Sequence, residues 1–157
     1  MDQVIWVDKN DNILGEVSRQ EAHKKGLLHR TIGIIILNDK GELLLQKRSA
    51  KKDTFPGMYT IGASGHVDKG ENYDQAAQRE MEEELGINTK LNFLKTVIND
   101  HPEHRQMQAF YLLKSNGPFK IQPEEVDEAK FFTLKQIKDM LLKVTPTVKK
   151  ALEIMEL

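Results

Sequence analysis

The sequence predicts an α+β domain built on a mixed sheet. Three observations predict it. Short apolar runs bounded by Gly, Asn and Asp recur along the chain. A central segment of good helix formers lies between two of them, and two amphipathic segments close the C-terminus. The 157 residues suit a single domain, 1–157, with residues 1–28 expected to form a hairpin and short helix packed on it.

Each element has a local reason. "QVIWVDKNDNILGEVSR" reads as two short strands around the turn "DKNDN". "RQEAHKKGLL" is a brief helix that Gly26 can stop. "HRTIGIIILNDKGELLLQKRS" is the clearest hairpin. Its first arm, Ile32 to Leu37, is nearly all apolar, as in a strand covered on both faces, and "NDKG" turns it. A polar loop ending in Pro56-Gly57 leads to one short strand, "TIGASGHV". "NYDQAAQREMEEELG" has no internal Gly or Pro, with Asn72 as N-cap and Gly86 as stop. "KLNFLKTVIND", "MQAFYLLKS" and "EAKFFTL" are three more strands. "TLKQIKDMLLK" and "TPTVKKALEIMEL" are the closing helices, with Thr133 and Thr145 as caps.

Composition narrows the function. A formal net charge of −1 gives no whole-molecule attraction to nucleic acid or anionic membrane, so neither is expected as a partner. The chain has no cysteine, which removes disulfides, a thiolate nucleophile and Cys-based zinc sites. "MDQVIWVDKNDN" lacks the basic and apolar regions of a signal peptide, and no run reaches the roughly 20 apolar residues of a membrane span. The expected location is the cytoplasm. A homodimer is left open.

The carboxylates of the central helix carry chemistry. At about 100° per residue, Glu80, Glu83 and Glu84 share one face, within roughly 100° of arc, and Glu82 points away to solvent. Ala76 and Ala77 lie one turn earlier on that face, where small residues let the loop "ASGHVDKGE" lie close. Crowded carboxylates repel, so a partner must offset the cost. An oxygen-only cluster suits a hard cation, Mg²⁺ or Mn²⁺, whose shell water and substrate phosphate complete. Arg79 adjoins the cluster and can grip one carboxylate at two points.

The spacing is then specific. From Gly65 it runs five residues, Glu71, seven residues, Arg79-Glu80-Met81, one residue, Glu83-Glu84, one residue, Gly86-Ile87. This resembles the Nudix box at every defined position. The resemblance implies an α/β/α sandwich and hydrolysis of a diphosphate linked to another group, so the expected partner is a small-molecule diphosphate of nucleoside-diphosphate type. It implies that Glu80, Glu83 and Glu84 are catalytic and hold the ion, with the carbonyl of Ser64 as a further ligand. Gly65, Glu71 and Arg79 are implied as supports. The base that takes the water's proton is one of the box glutamates or a later Glu. Glu103, Glu124, Glu125 and Glu128 are available, and each reads first as a solvated loop carboxylate.

From about Gln20 to Gly86 the chain is also similar to type I isopentenyl-diphosphate isomerases, through His29, "LLLQKRS", "PGMYT" and "GHV". The departures decide the reading. Those isomerases use a Cys where this chain has Ser64 and a Glu-x-Glu pair that "EHRQMQAFYLL" lacks. Two further classes therefore stay behind the hydrolase: an isomerase and a non-catalytic ligand-binding domain. His23, His29 and His66 lie at or near isomerase metal positions and read here as hydrogen-bonded histidines rather than ligands of a second metal or phosphate. Arg48, at a strand end, is expected to face substrate, as is His66. Lys51 and Lys52 read as solvated, with Lys47 a further candidate clamp. Phe55 and Tyr59 are candidates for stacking on a base, and Phe110 reads as core.

Overall fold

The computed structural model describes residues 3–102 and 104–157. Nine strands share a mixed sheet, with helices against both of its faces, so the expected α/β/α sandwich is the observed one. The chain opens with β1 (Gln3–Val7) and β2 (Ile13–Ser18), an antiparallel pair, followed by α1 (Arg19–Lys25). The Ser18 hydroxyl accepts from the Glu21 N–H at 3.1 Å, and Gly26 closes the helix at φ 64°. Ile5 and Val7 of β1 are buried in the main core, and Val7 N–H donates to the Leu28 carbonyl at 2.9 Å.

Strand β3 (His29–Leu37) is the centre of the sheet, buried on both faces from Ile32 to Ile36 as its apolar run predicts. The expected hairpin with β4 (Leu43–Arg48) is short-lived. The two strands pair only at Leu37 and Leu43 and then part. Along the rest of its length β3 pairs in parallel with β8 (His104–Lys114) and antiparallel with β6 (Ala63–His66). β4 pairs instead with β5 (Tyr59–Ile61) and β9 (Val126–Phe132). β3 also meets β1 at His29 and Trp6, so both strands find their main neighbours elsewhere, which a local turn signal cannot reveal. β7 (Asn92–His101) flanks β8.

The single strand expected over residues 60–67 is two, β5 and β6, broken at Gly62. A side chain there would collide with Ile36, so the chain crosses β3 closely at this point. β8 starts at His104, earlier than expected.

Alternation along β3 divides two cores. Ile32, Ile34 and Ile36 meet Met107 and Ala109 of β8 beneath α2 (Tyr73–Leu85), which buries Ala76, Ala77, Met81 and Leu85. Ile35 and Phe110 face α4 (Pro146–Ile154), which buries Val148, Ala151 and Leu152. The reading of Phe110 as core therefore holds. The first closing helix is shorter than expected: α3 (Leu134–Lys138), capped by Thr133, gives way to a 3₁₀ turn at Leu141–Lys143. Thr145 stands at the N-cap position of α4 but makes no cap bond. Its hydroxyl donates to Thr60 Oγ1 at 3.1 Å, while Pro146 at the helix start has no N–H to satisfy. Among the described residues, no helix is long and apolar enough to cross a membrane.

Candidate active site

Helix α2 is positioned at both ends by its own sequence. Asn72 and Gln75 form a reciprocal capping box, and Gly86 ends the helix at φ 68°. Its apolar stripe turns to the core, which leaves Glu80 and Glu84 facing β6. The face assignment from the sequence is the observed one: Glu82 is exposed and Glu80 is mostly covered. Glu83 sits at the rim, with 60% of its side chain exposed. The approach of β6 is close enough that a Cβ on Gly65 would overlap the Glu80 carboxylate. Ser64 N–H donates to Glu84 Oε2 at 3.0 Å, tying strand to helix.

Arg79 is the organising cation. Its Nε and Nη2 grip Glu71 at 2.7 and 2.9 Å, and Nη2 also donates to the His66 carbonyl at 3.0 Å. Nη1 reaches Glu80 Oε1 at 2.7 Å and Glu83 Oε2 at 3.3 Å. Asp68, which the spacing did not single out, joins at 3.2 Å. Its backbone N–H donates to Glu71 at 2.9 Å, so Glu71 shapes the loop as well as the arginine.

The electrostatics differ around the cluster. The bonds from Arg79 hold Glu71 below the usual carboxylate range. Burial pushes Glu80 up to about 7, against the pull of Arg79. Burial, together with the Glu80 charge, pushes Glu84 to about 8. Two buried acids at one wall, with a backbone carbonyl strand beside them, fit a hard, oxygen-preferring dication that would restore both to their charged form.

These groups line a cleft of about 1130 Å³. Arg48 lines it too, but its Nε and Nη2 donate to the carbonyl and hydroxyl of Thr54 at 2.9 and 3.0 Å. The expected substrate contact is thus partly spent on holding the 49–58 loop. Lys52 lines the cleft and pairs with Glu125 at 3.7 Å, so it is not simply solvated, whereas Lys47 and Lys51 lie off the cleft. Of the later glutamates, Glu124 and Glu125 face the cleft. Glu128 does not: it accepts from Tyr59 Oη at 2.8 Å, which also takes Tyr59 out of any stacking role. Glu103 lies outside the described residues. Phe55 is at the cleft, against the rings of His101 and His104.

His66, expected at the substrate, belongs to a buried imidazole cluster at one end of the cleft. Its ring stacks on His29 with centroids 5.2 Å apart, and His23 lies 5.3 Å from His29 and 4.5 Å from His104. The expectation of hydrogen-bonded histidines holds for His29 Nδ1, 2.9 Å from the Leu27 carbonyl, but not for the Nε2 atoms of His23, His29 and His66. Those three nitrogens are buried without a partner. Burial lowers all four pKa values, with His29 at about 4 and His104 at about 3, so the rings are neutral near pH 7. His23, His29 and His104 each offer a ring nitrogen within 4.8 Å of the others, a donor set suited to a borderline-soft ion rather than to Mg²⁺.

Sequence reasoning missed the far wall. β8 projects His104, Gln106 and Gln108 to one face, and Thr31 of β3 and Asn99 of β7 join them. The alternation in "HRQMQAFYLL" was the available signal, with polar residues on the face that becomes Phe110 and Leu112 farther along.

A helix of clustered acids braced by one arginine thus forms one wall of a cleft on a mixed sheet that helices cover on both faces. Comparison with known proteins gives the family: the NUDIX domain model matches residues 27–153, and the chain belongs to the Nudix family. An uncharacterized Nudix hydrolase of Pseudomonas aeruginosa is 38% identical, over 82% of this chain and 76% of that protein. An isopentenyl-diphosphate Delta-isomerase of Serratia proteamaculans is 33% identical, over 88% of this chain and 80% of that one. Among solved structures, a protein of Deinococcus radiodurans superposes with a TM-score of 0.83 at 19% identity, over 96% of this chain and 97% of that one. The NUDIX domain of Shewanella oneidensis NrtR, complexed with ADP ribose, superposes at 0.65 with 19% identity, over 89% and 97%. At these identities the two structures speak for the fold alone.

Proposed function

We propose that the protein hydrolyses a diphosphate linkage in a small molecule of nucleoside-diphosphate type, using Mg²⁺ or Mn²⁺ held by Glu80, Glu83, Glu84 and the Ser64 carbonyl. The observation that carries this reading is the pair of largely covered carboxyls, Glu80 and Glu84, crowded on one wall of an open cleft, with Arg79 bonded to Glu80 and not to Glu84. The ion, when bound, neutralises charge on the diphosphate and makes a bound water more acidic. Arg79 and Glu71 keep the Glu80 carboxylate and the 66–71 loop in place. The Ser64 N–H fixes one oxygen of Glu84 and leaves the other for the chemistry. A carboxylate at the cleft, from the box or from Glu124 and Glu125 opposite, takes the proton of the attacking water. Arg48 and Lys52 add positive charge where the diphosphate enters.

Mn²⁺ titrated into the protein should give a calorimetric binding signal, and the Glu80→Gln/Glu83→Gln/Glu84→Gln protein should lose it. Equal affinity in the two proteins would place the ion elsewhere. Phosphate release from a panel of nucleoside diphosphates, nucleotide sugars and dinucleoside polyphosphates then identifies the substrate.

The kinship with isomerases supports a second reading, and two features weigh against it. Ser64 cannot readily do the work of a thiol acid at a carbon centre, and the chain has no Cys to supply one. The cleft also offers few apolar side chains, with Phe55, Ile61, Val126 and Pro146 scattered among polar ones. Isopentenyl diphosphate with Mg²⁺ should not yield its allylic isomer, as followed by NMR. Turnover on the order of 1 per second would reverse the ranking.

A further inference from the structure

The wall opposite α2 carries buried amides and hydroxyls that hydrolysis of a diphosphate leaves without a task. Asn99 is 6% exposed, Gln46 5% and Gln108 1%, yet all three line the cleft. Their orientations follow from backbone carbonyls, which can only accept. The Ile32 carbonyl takes Gln108 Nε2–H at 3.3 Å, so Gln108 Oε1 must be the acceptor toward its other neighbour. That neighbour is Asn99 Nδ2, at 3.0 Å from Gln108 Oε1 and 3.0 Å from Thr147 Oγ1, which uses both of its N–H groups. Asn99 Oδ1 is left with no donor among the described residues. Gln46 Nε2 likewise donates to the Gly62 carbonyl, and Gln46 Oε1 is left open. Both residues line the cleft, which is where these oxygens can meet a ligand. Thr147 and Thr60 accept from Asn99 and Thr145 respectively, which frees their own hydroxyl protons to donate.

This wall is built rather than incidental. A Cβ on Gly33 would lie 2.8 Å from Ile61 Cδ1 and 3.1 Å from Gln108 Nε2, so the bare backbone there gives Gln108 room to cross β3.

We propose that Gln46, Asn99, Thr60 and Thr147 form the subsite for the group beyond the diphosphate, and that this group is hydroxyl-rich and sugar-like. The proposal rests on the diphosphate reading above. Two acceptors beside two donors match neighbouring hydroxyls, each of which can donate and accept. A hydrocarbon tail would strip water from both amide oxygens and return nothing. A nucleobase would find little to stack on: Phe55, the one Phe, Tyr or Trp lining the cleft among the described residues, sits at the imidazole end. A site that hydrogen-bonds substrate hydroxyls rejects analogues lacking them, because its polar groups are then left unpaired.

The test is calorimetric binding of UDP-glucose, pyrophosphate and isopentenyl diphosphate, with Ca²⁺ replacing Mg²⁺ to slow turnover, to the parent protein and to the Asn99→Leu and Thr147→Val variants. Thr147→Val exchanges the hydroxyl for a methyl of similar size, a smaller change than Asn99→Leu, so it guards against loss of the fold. UDP-glucose should bind the parent at least about tenfold more tightly than isopentenyl diphosphate. Asn99→Leu should weaken UDP-glucose by about tenfold or more and Thr147→Val by several-fold, with pyrophosphate changed less than about twofold. Equal binding of the isoprenyl compound, UDP-glucose affinity untouched by both variants, or parallel loss of pyrophosphate would each overturn the subsite. Failure of the diphosphate reading shows differently: pyrophosphate binding would then be indifferent to Glu84→Gln.

Discussion

Glu84→Gln is expected to lower kcat by about 100- to 1,000-fold while changing KM far less, because the lost interaction grows as charge develops on the diphosphate. The change is nearly isosteric, and the amide can still accept from the Ser64 N–H, so the strand stays tied to the helix. What disappears is a charge that burial and Glu80 make costly to hold despite the Ser64 N–H, and which a cation in the cleft would stabilise. Glu83→Gln should follow in direction, as should Glu83→Asp, which keeps charge but shortens reach, since Mg²⁺ demands near-octahedral placement. Glu82→Gln is the internal control. Its side chain is exposed on the opposite side of α2, and it should retain kcat within about twofold. Steady-state kinetics on the substrate found by the panel decide the matter. A Glu82→Gln protein as impaired as Glu84→Gln would mean that the wrong face of α2 carries the chemistry.

Arg79→Ala should have the second largest effect, on stability and rate together. Removing the guanidinium leaves Glu71, Glu80 and Asp68 facing one another and the His66 carbonyl without its donor. Full burial of such a pair would cost about 3–5 kcal/mol, and with 26% of the side chain in water the expected loss is about 1–3 kcal/mol. The rate should fall by about 10- to 100-fold, the usual range for groups that orient metal ligands without touching the metal. Arg79→Lys separates charge from shape. It keeps the cation but cannot hold both oxygens of Glu71 while reaching Glu80, so it should recover part of the stability and little of the rate. Urea denaturation and kcat measured on the same preparations test this. A Lys variant with the parent's activity would show that Arg79 serves only to balance charge.

The acid face of α2 was legible because it is local. A helix repeats every 3.6 residues, so residue spacing alone places Glu80, Glu83 and Glu84 together and Glu82 apart. Its caps, Asn72 and Gly86, are decided by side-chain oxygens and backbone freedom within a turn. The same holds for Ser18, Gly26 and Thr133. Thr145 marks the limit of this kind of reasoning. It stands in a cap position, yet its hydroxyl goes to Thr60, 85 residues away.

Strand partners were less legible, because strands exchange hydrogen bonds with distant segments. "NDKG" predicted a β3–β4 hairpin, but the turn constrains only the pair at Leu37 and Leu43. Beyond it, β3 follows β8 and β6, while β4 follows β5 and β9. That choice brings His23, His29, His66 and His104 from four separate segments into one cluster. It also sets Asn99 of β7 beside Gln108 of β8 and Thr147 of α4.

By itself the sequence determined the α+β class, the register of acids on α2, and the absence of any thiol. All of these depend on contacts within a few residues or on composition. Only the tertiary structure decided that Arg48 is occupied by Thr54, that Glu128 answers to Tyr59 while Glu125 faces the cleft, and that three imidazole nitrogens are buried without partners. It also decided that the wall across from the acids is made of amides and hydroxyls with hydrogen-bonding capacity to spare. The physical reason is that sequence spacing sets direction only along one helix or strand, whereas the opposite wall of a cleft is set by which strands pair.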